Sequence, residues 1–461
     1  MKGNQRKALM ELCILLCIIL TLTVGWTVYD KTVDRSGWGE KDGVVFYKDF
    51  HGQKVTGWNV IGDDTYYFDS NCVMVTGWQQ WGSSRYYFGS NGAMYTGWKN
   101  VDDMRCYFSE DGILHTGWLD LDGKRYYLEE TGSMVSGWQE IDSTTYYFGE
   151  NGAVLTGWNT LNSNTYYFEP TGALVTGYTT LDGKNYFFQD SGILFTGWEE
   201  TEAGRRYYGE DGVQVFGWAE IDGKWYHFGG EGLAQTGWFQ DGEYRYYLYE
   251  DGSAAVGPTV IDGIQYYFTP TGIMVVLVNG DHAVPDYYKK ELKLETYIPW
   301  HEVASVALEP LTRMLEDCVA AGYEYTFNSA YRSIQVQQDI LTLRTQEYVA
   351  AGYSEPDAYW EARKTVALPG TSEHHLGLAV DVLNKEKAEL KALDWLGEHC
   401  WEYGFIVRYA ADKAHITGII HEPWHFRYVG PRVSMAMKDS GLCLEEYLGA
   451  VPVENPAVTN E

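Results

Sequence analysis

At 461 residues the chain is too long for one ordinary domain. Its 64 acidic side chains outnumber 34 basic ones, and the resulting formal charge of −30 excludes the basic surface that nucleic-acid phosphates require. Tyr (38), Trp (18) and Gly (51) are over-used, which points to many short aromatic strands joined by tight turns.

Lys2, Arg6 and Lys7 precede an apolar run over 8–28 that is broken only by Glu11. That run is long enough to span a bilayer, and basic residues in front of it set the N-terminus inside. Residues 1–7 therefore read as a cytoplasmic tail and 8–28 as a transmembrane signal anchor. A cleaved signal peptide wants small residues at its exit; Thr23-Val24-Gly25 is a poor version, and no A-x-A occurs. Neither Cys13 nor Cys17 sits in a convincing lipobox. The expectation is a single-pass membrane protein with its bulk outside the cytoplasm and associated with the cell wall, or a secreted one if the signal is cleaved. The other cysteines (Cys72, Cys106, Cys318, Cys400, Cys443) show no CxxC pair and no framework spacing, and a bridge among the last three stays open.

From Gly37 to Gly257 a glycine recurs every 20 residues without a slip, followed by Trp except at Tyr178 and Pro258. Halfway through each unit stands an aromatic triplet such as Tyr66-Tyr67-Phe68, then a turn dipeptide such as Asn91-Gly92 or Asp111-Gly112. An aromatic run, a glycine turn and a second short apolar run predict a β-hairpin. A fixed period of this length predicts a solenoid over 36–278, because one hairpin cannot bury its aromatic face alone. The TGW…YYF…G pattern resembles the cell-wall-binding repeats of Gram-positive surface proteins, also called choline-binding or glucan-binding repeats. In choline-binding members of that group an aromatic cage holds a quaternary ammonium by cation–π attraction, with one wall a Trp just before the aromatic pair. Here that position holds Thr65, Arg85, Arg105, Arg125, Thr145, Thr165, Asn185, Arg205, Trp225, Arg245 and Gln265, so only Trp225 fits. The resemblance implies a cell-wall glycan or teichoic acid as the partner of the repeats; the alternative is a spacer whose aromatics are simply its core.

The rhythm stops after Thr271-Gly272. Val275 to Val278 reads as a strand, and Asn279-Gly280-Asp281 marks a boundary, with residues 279–450 long enough for one core and 451–461 a tail. Leu311, Met314, Leu315, Cys318 and Val319 keep helical spacing. Tyr325 to Phe327 reads as a strand; Ser354 caps a helix reaching Val366, with Pro356 near its start. A further helix is expected from about Lys385 to Tyr403, stopping at Gly404, with strands at Phe405 to Val407 and Ile416 to Ile420. Helices with strands between them predict an α+β domain. The fold class is thus multidomain: an N-terminal transmembrane helix, an all-β hairpin solenoid of 20-residue repeats, and a C-terminal α+β domain.

The chemistry concentrates in Ser372-Glu373-His374-His375-Leu376-Gly377-Leu378-Ala379-Val380-Asp381 and in His421-Glu422-Pro423-Trp424-His425. Two imidazoles, a carboxylate and a spare glutamate are the inventory of a hydrolytic zinc site: three ligands, an open position and a general base. From Gly377 the residues alternate, with Leu378, Val380 and Val382 on one face and Ala379 and Asp381 on the other. Parity alone favours His375 as the neighbour of Asp381; His374 requires a kink near Gly377, which glycine permits. His421 to His425 matches H-E-x-x-H literally, but that motif needs one helical face. Pro423 is tolerated only in a first helical turn, so His421 reads as a bystander.

Residues 276–445 resemble the VanY-type D-alanyl-D-alanine carboxypeptidases, zinc metallopeptidases of the LAS group. The likeness rests on Ser372-x-His374-x-x-Gly377-x-Ala379-x-Asp381, on Glu422-Pro423-Trp424-His425-Phe426-Arg427-Tyr428, and on Ser329-Ala330-Tyr331-Arg332-Ser333 with Gln337. It implies His374, Asp381 and His425 as ligands of one Zn2+, Glu422 as general base, Arg332 as stabiliser of the oxyanion, and Ser372 and Gln337 as substrate-binding residues. The implied substrate is the peptidoglycan stem peptide, losing its terminal D-alanine. An L,D-carboxypeptidase or endopeptidase on the same scaffold is the nearest alternative, and a non-catalytic wall-binding adhesin the more distant one.

Overall fold

The structure, a computed structural model, describes residues 7, 10–20, 34–386 and 391–451. It divides into two units, Met1–Phe195 and Thr196–Glu461. Of the expected membrane anchor, residues 10–20 form a helix, and 8, 9 and 21–28 lie outside the described residues. Among the described residues no helix is long and apolar enough to cross a membrane.

In the first unit each repeat is a two-stranded antiparallel hairpin. Gly117–Leu121 pairs with Lys124–Leu128, Trp118 lying opposite Tyr127. The connecting residues Asp122 (φ 51°) and Gly123 (φ 71°) are both left-handed, as a two-residue turn matched to strand twist requires. The third aromatic position turns inward: Phe68, Phe88, Phe108, Phe148, Phe168 and Phe188 are at most 1% exposed. Successive hairpins are sewn together by backbone, with Met94 N–H donating to Thr65 O and Leu114 N–H to Arg85 O. The glycine after each hairpin has two duties. Gly112 has φ 76°, and a Cβ there would sit 2.2 Å from Met94 Sδ of the preceding repeat.

The second unit begins with more hairpins, from Gly197–Thr201 to Ile264–Phe268. The segment expected as the last strand of the array, Val275 to Val278, pairs in no ladder. It is instead buried: Val276 and Val278 pack with Leu311, Met314 and Phe426, while Val275 and Leu277 pack with Ile406, Val433, Met437 and Leu444. The end of the array is therefore part of the core that follows it.

That core surrounds a four-stranded antiparallel sheet in the order Tyr325–Ser329, Ala379–Asn384, Glu422–Tyr428, Phe405–Tyr409. Helices Ser305–Ala320 and Ala392–His399 cover the face carrying Val380, Val382 and Phe426. Ser333 and Ser354 cap the helices Ile334–Ala350 and Glu355–Arg363 through their side chains. The second of these stops at Arg363, short of the expected Val366. The helix expected from Lys385 is described over Ala392–His399, followed by a 3-10 turn to Tyr403 and the left-handed Gly404, with 387–390 outside the described residues. The expected strand at Ile416 to Ile420 is a correction: Ala414–Thr417 is one helical turn ended by Gly418 at φ 72°. β-branched residues suggested extension there, but a left-handed glycine in the middle breaks any strand. A hairpin, Leu294–Ile298 with His301–Ala304, was not legible in the sequence. All the described cysteines are free.

Candidate active site

The two central strands of the sheet bring Asp381 directly opposite His425. Facing residues of an antiparallel pair share a side of the sheet, and His425 Nδ1 lies 3.0 Å from Asp381 Oδ1. His374 arrives from a 3-10 turn, Glu373–Leu376, that precedes the strand and ends at Gly377 with φ 67°. That kink overrides strand parity. A side chain on Gly377 would meet the backbone of Ala304 at 2.8 Å, so the turn is open only to glycine. The outcome is that His374, and not His375, faces Asp381, with Nε2 3.3 Å from Oδ2.

The ligand atoms of His374, Asp381 and His425 all lie within 4.8 Å of one another, and all three residues are buried. Their hydrogen bonds leave the right atoms facing inward. His374 Nδ1 donates to Ala330 O at 2.7 Å, which reserves Nε2 for a metal. His425 presents Nδ1 to the cluster, while its Nε2 lies 3.5 Å from Glu373 Oε2. These two atoms are buried without a hydrogen-bond partner. A cation on Nδ1 would fix the proton on Nε2 and aim it at that carboxylate, so the donor set fits a divalent metal.

His375 and His421 point elsewhere. His375 uses both ring nitrogens: Nδ1 donates to Arg332 O at 2.7 Å, and Nε2 accepts from Gly370 N–H at 3.1 Å. It braces the Arg332 backbone. His421 is exposed, with Nδ1 3.0 Å from Tyr409 O. Residues 421–425 are not helical; Glu422–Tyr428 is a strand, so the two histidines of the H-E-x-x-H spelling share no helical face.

Glu422 lines the same cleft as His374, Asp381 and His425, although an offset of three residues from His425 would turn it to the opposite side of a regular strand. The ladder to Phe405–Tyr409 shifts register between Val407 and Tyr409, and Tyr409 pairs with Glu422 beyond the shift. Such irregularities re-aim side chains beside active sites. Burial raises the Glu422 carboxyl to about 7, against the pull of His425. Burial lowers His374 to about 4. For His425 burial also acts downward, but its hydrogen bond to Asp381 and the nearby Glu373 carboxylate outweigh it and lift the ring to about 9.

The cleft encloses about 270 Å³, and Arg332, Gln337, Ser372, Tyr409 and Trp424 complete its wall. Arg332 is held on three sides: Nε donates to Ser329 Oγ at 2.7 Å, Nη1 to Gln337 Oε1 at 3.4 Å, and Nη2 to Asp381 Oδ2. Gln337 is 1% exposed and donates to Ala367 O at 2.9 Å. Ser372 is also buried.

A second layer of charge lies beneath the cluster and was not anticipated. Glu373 accepts from Arg408 Nε at 2.9 Å and from Arg427 Nη1 at 2.7 Å, both on Oε1. Arg408 also donates to both carboxylate oxygens of Glu445, and Glu445 accepts from Asn279 Nδ2 at 3.0 Å. The two guanidinium groups overcome burial and hold Glu373 well below the usual carboxylate range. The clues in sequence were the isolated Glu373 inside an apolar motif and the Arg427 and Arg408 in apolar strands.

Comparison with known proteins adds the following. Residues 300–431 match the family model "D-alanyl-D-alanine carboxypeptidase" (VanY). Residues 55–96, 95–136, 135–175 and 155–192 match a choline-binding repeat, and 217–234 and 236–254 a cell wall binding repeat. A D-alanyl-D-alanine carboxypeptidase of Enterococcus faecalis is 40% identical over 178 residues, covering 38% of this chain and 65% of its own length. A Bacillus subtilis protein named "Putative carboxypeptidase YodJ" is 32% identical over 194 residues, covering 39% of this chain and 68% of its own. Among solved structures, VanYB in complex with D-alanine-D-alanine is 38% identical, covering 38% of this chain and 96% of its own, with a TM-score of 0.36.

Proposed function

The chain belongs to the VanY family of D-alanyl-D-alanine carboxypeptidases, and we propose that it removes the terminal D-alanine from peptidoglycan stem peptides. One observation carries the reading: three convergent ligand atoms share a cleft with a buried glutamate that is not one of them. His374 Nε2, Asp381 and His425 Nδ1 would hold one zinc ion. Zinc bound there supplies Lewis acidity, which makes water a nucleophile near neutral pH and polarises a carbonyl.

The protein's own groups do the rest. Glu422 takes a proton from the attacking water and returns it to the departing amine of D-alanine, a double duty that a carboxyl titrating near neutrality suits. Arg332, fixed by Ser329 and Gln337, faces the cleft and neutralises the oxyanion that develops on the scissile carbonyl. Ser372 and Gln337 border the same wall, where the terminal carboxylate of the substrate would be held. His375 keeps Arg332 in place through the backbone.

The repeats would hold the enzyme at the wall, and the apolar run 8–28 would tie it to the membrane with its bulk outside the cytoplasm; the support for the anchor is the length of that run and the basic residues before it. The test of the catalytic reading is zinc stoichiometry and D-alanine release from a synthetic pentapeptide, measured on wild type and on single alanine variants of His374, Asp381 and His425. Each variant should lose metal and activity together. A variant that stays fully active would remove its residue from the set.

A further inference from the structure

Gln337, Ile340 and Arg344 all line the cleft, and steps of three and four residues set them on one face of the helix Ile334–Ala350. The helix therefore runs along the cleft. Gln337 marks the metal end, because its Oε1 accepts from Arg332 Nη1 at 3.4 Å and Arg332 also donates to Asp381. Arg344 stands two turns further on, which at about 1.5 Å per residue sets its backbone about 10 Å from that of Gln337. Arg332 and Arg344 are the two cations of the wall. Arg332 is committed to Ser329, Gln337 and Asp381. Arg344 is paired with Glu347 at 2.9 Å, three residues along the same helix, and the two side chains are 50% and 52% exposed. An exposed pair of this kind holds weakly and exchanges readily for another carboxylate.

The length of an extended peptide decides which part of the substrate meets Arg344. A carboxypeptidase releases one residue, so only about 3.5 Å of chain lies beyond the scissile bond. Arg332, at the metal end, is beside that bond. A cation about 10 Å further along is past the leaving residue and faces the acyl side, two or three residues before the bond at roughly 3.3–3.6 Å each. In a stem peptide the second residue before the bond is a diamino acid. Diaminopimelate there is lysine with one more carboxylate. The third is a γ-linked glutamate, whose α-carboxylate is either free or amidated.

We propose that Arg344 is a specificity-determining residue that binds a carboxylate on the acyl side of the substrate, two or three residues before the scissile bond. This rests on the carboxypeptidase reading and deepens it. The guanidinium fork matches a carboxylate with two parallel hydrogen bonds. The substrate carboxylate takes the place of Glu347, so Arg344 is never left unpaired. A cation is needed at this point because the chain carries a charge of −30 and the metal end of the cleft holds Asp381 and Glu422, all of which oppose an anionic peptide. An ammonium brought to the same place meets repulsion from Arg344, so the residue discriminates in both directions.

The test is kcat/KM for D-alanine release by the zinc-loaded full chain from three synthetic pentapeptides. The first carries lysine and an amidated γ-glutamate, the second lysine and a free γ-glutamate, the third diaminopimelate and an amidated γ-glutamate. The last two separate the two sources of the carboxylate. At least one of them should exceed the first by about three- to tenfold, mainly through KM, and the margin should shrink at high salt. Arg344→Gln should erase the margin and Arg344→Glu should reverse it, whereas Glu347→Gln, which releases Arg344, should widen it. Both positions are exposed on the helix, and melting temperatures check that each variant is folded. The proposal is overturned if wild type treats all three peptides alike or if Arg344→Glu keeps the margin. It is also overturned if Arg344→Gln slows all three equally, since the residue would then hold the terminal carboxylate that they share. Equal release from the three peptides defeats this subsite alone, whereas no release from any of them by the zinc-bound chain defeats the carboxypeptidase reading itself.

Discussion

Replacing Glu422 with Gln isolates proton transfer from metal binding. Glu422 is 6% exposed in a wall of the cleft, and none of the three convergent ligand atoms is its own. Glutamine has the same size and can hydrogen-bond, so fold and metal should persist. What disappears is a carboxyl raised to about 7 by burial, a value at which the ionised base and the protonated acid are both accessible near neutral pH. General acid–base catalysis is worth roughly 10²–10⁴-fold. In the proposed mechanism this one carboxyl handles the proton of the water and the proton of the amine, so the upper part of that range is expected, a barrier increase of about 5 kcal/mol. The sign of the pH dependence follows as well: the base must be ionised, so wild-type activity falls as pH drops and Glu422 is protonated. The assay is kcat on a pentapeptide with zinc content and melting temperature measured on the same preparations. Near-wild-type turnover with stoichiometric zinc would refute the assignment of the base; loss of zinc along with activity would make Glu422 a ligand.

Other perturbations separate the remaining roles. His425→Ala should lose both metal and rate, whereas His421→Ala should keep both, since the His421 ring is exposed and its hydrogen bond is to Tyr409 O; metal content of the two variants decides. Glu373→Gln removes the anion from a buried triad with Arg408 and Arg427, which should destabilise the fold by about 3–5 kcal/mol in denaturant titration. The same change withdraws the carboxylate facing His425 Nε2 and should weaken zinc affinity about 10–100-fold in a competition titration, and an unchanged affinity would show that the carboxylate does not steady the ring. Burial opposes ionisation of Glu445, but Arg408 wins and lowers its folded value. Its stabilisation is therefore present above the ordinary glutamate value of about 4.3 and is lost as pH falls through the lowered one. Unfolding free energies at neutral and acid pH should show that loss, and Glu445→Gln should remove its share.

The array was legible because its period is local: glycine, aromatic pair and turn repeat within each unit, and the hairpins reproduce them. The convergence of His374, Asp381 and His425 was legible only through the motifs, since parity along the strand pointed to His375. The turn Glu373–Leu376 and the left-handed Gly377 reverse that choice, and nothing in the alternation could give the angle of the kink. Glu422 enters the cleft through a register shift opposite it, which depends on a strand 13 residues away rather than on its own neighbours. The isolated charges of Glu373, Arg408 and Arg427 stand out in apolar stretches, but their pairing with one another and with Glu445 was not legible because the bonds span 35 to 54 residues and follow no period. The arginines before the aromatic pairs were visible as departures from a cage; that Arg125 lies over Trp118 needed the strand register.

Release of D-alanine from a synthetic stem pentapeptide by the full chain, with chelator and with zinc added back, tests the central claim most directly. The account predicts one D-alanine per peptide, loss of release on chelation, and recovery with zinc. A chain that binds zinc stoichiometrically yet releases no D-alanine from any stem peptide would contradict it, and the wall-binding array would then be the working part of the molecule.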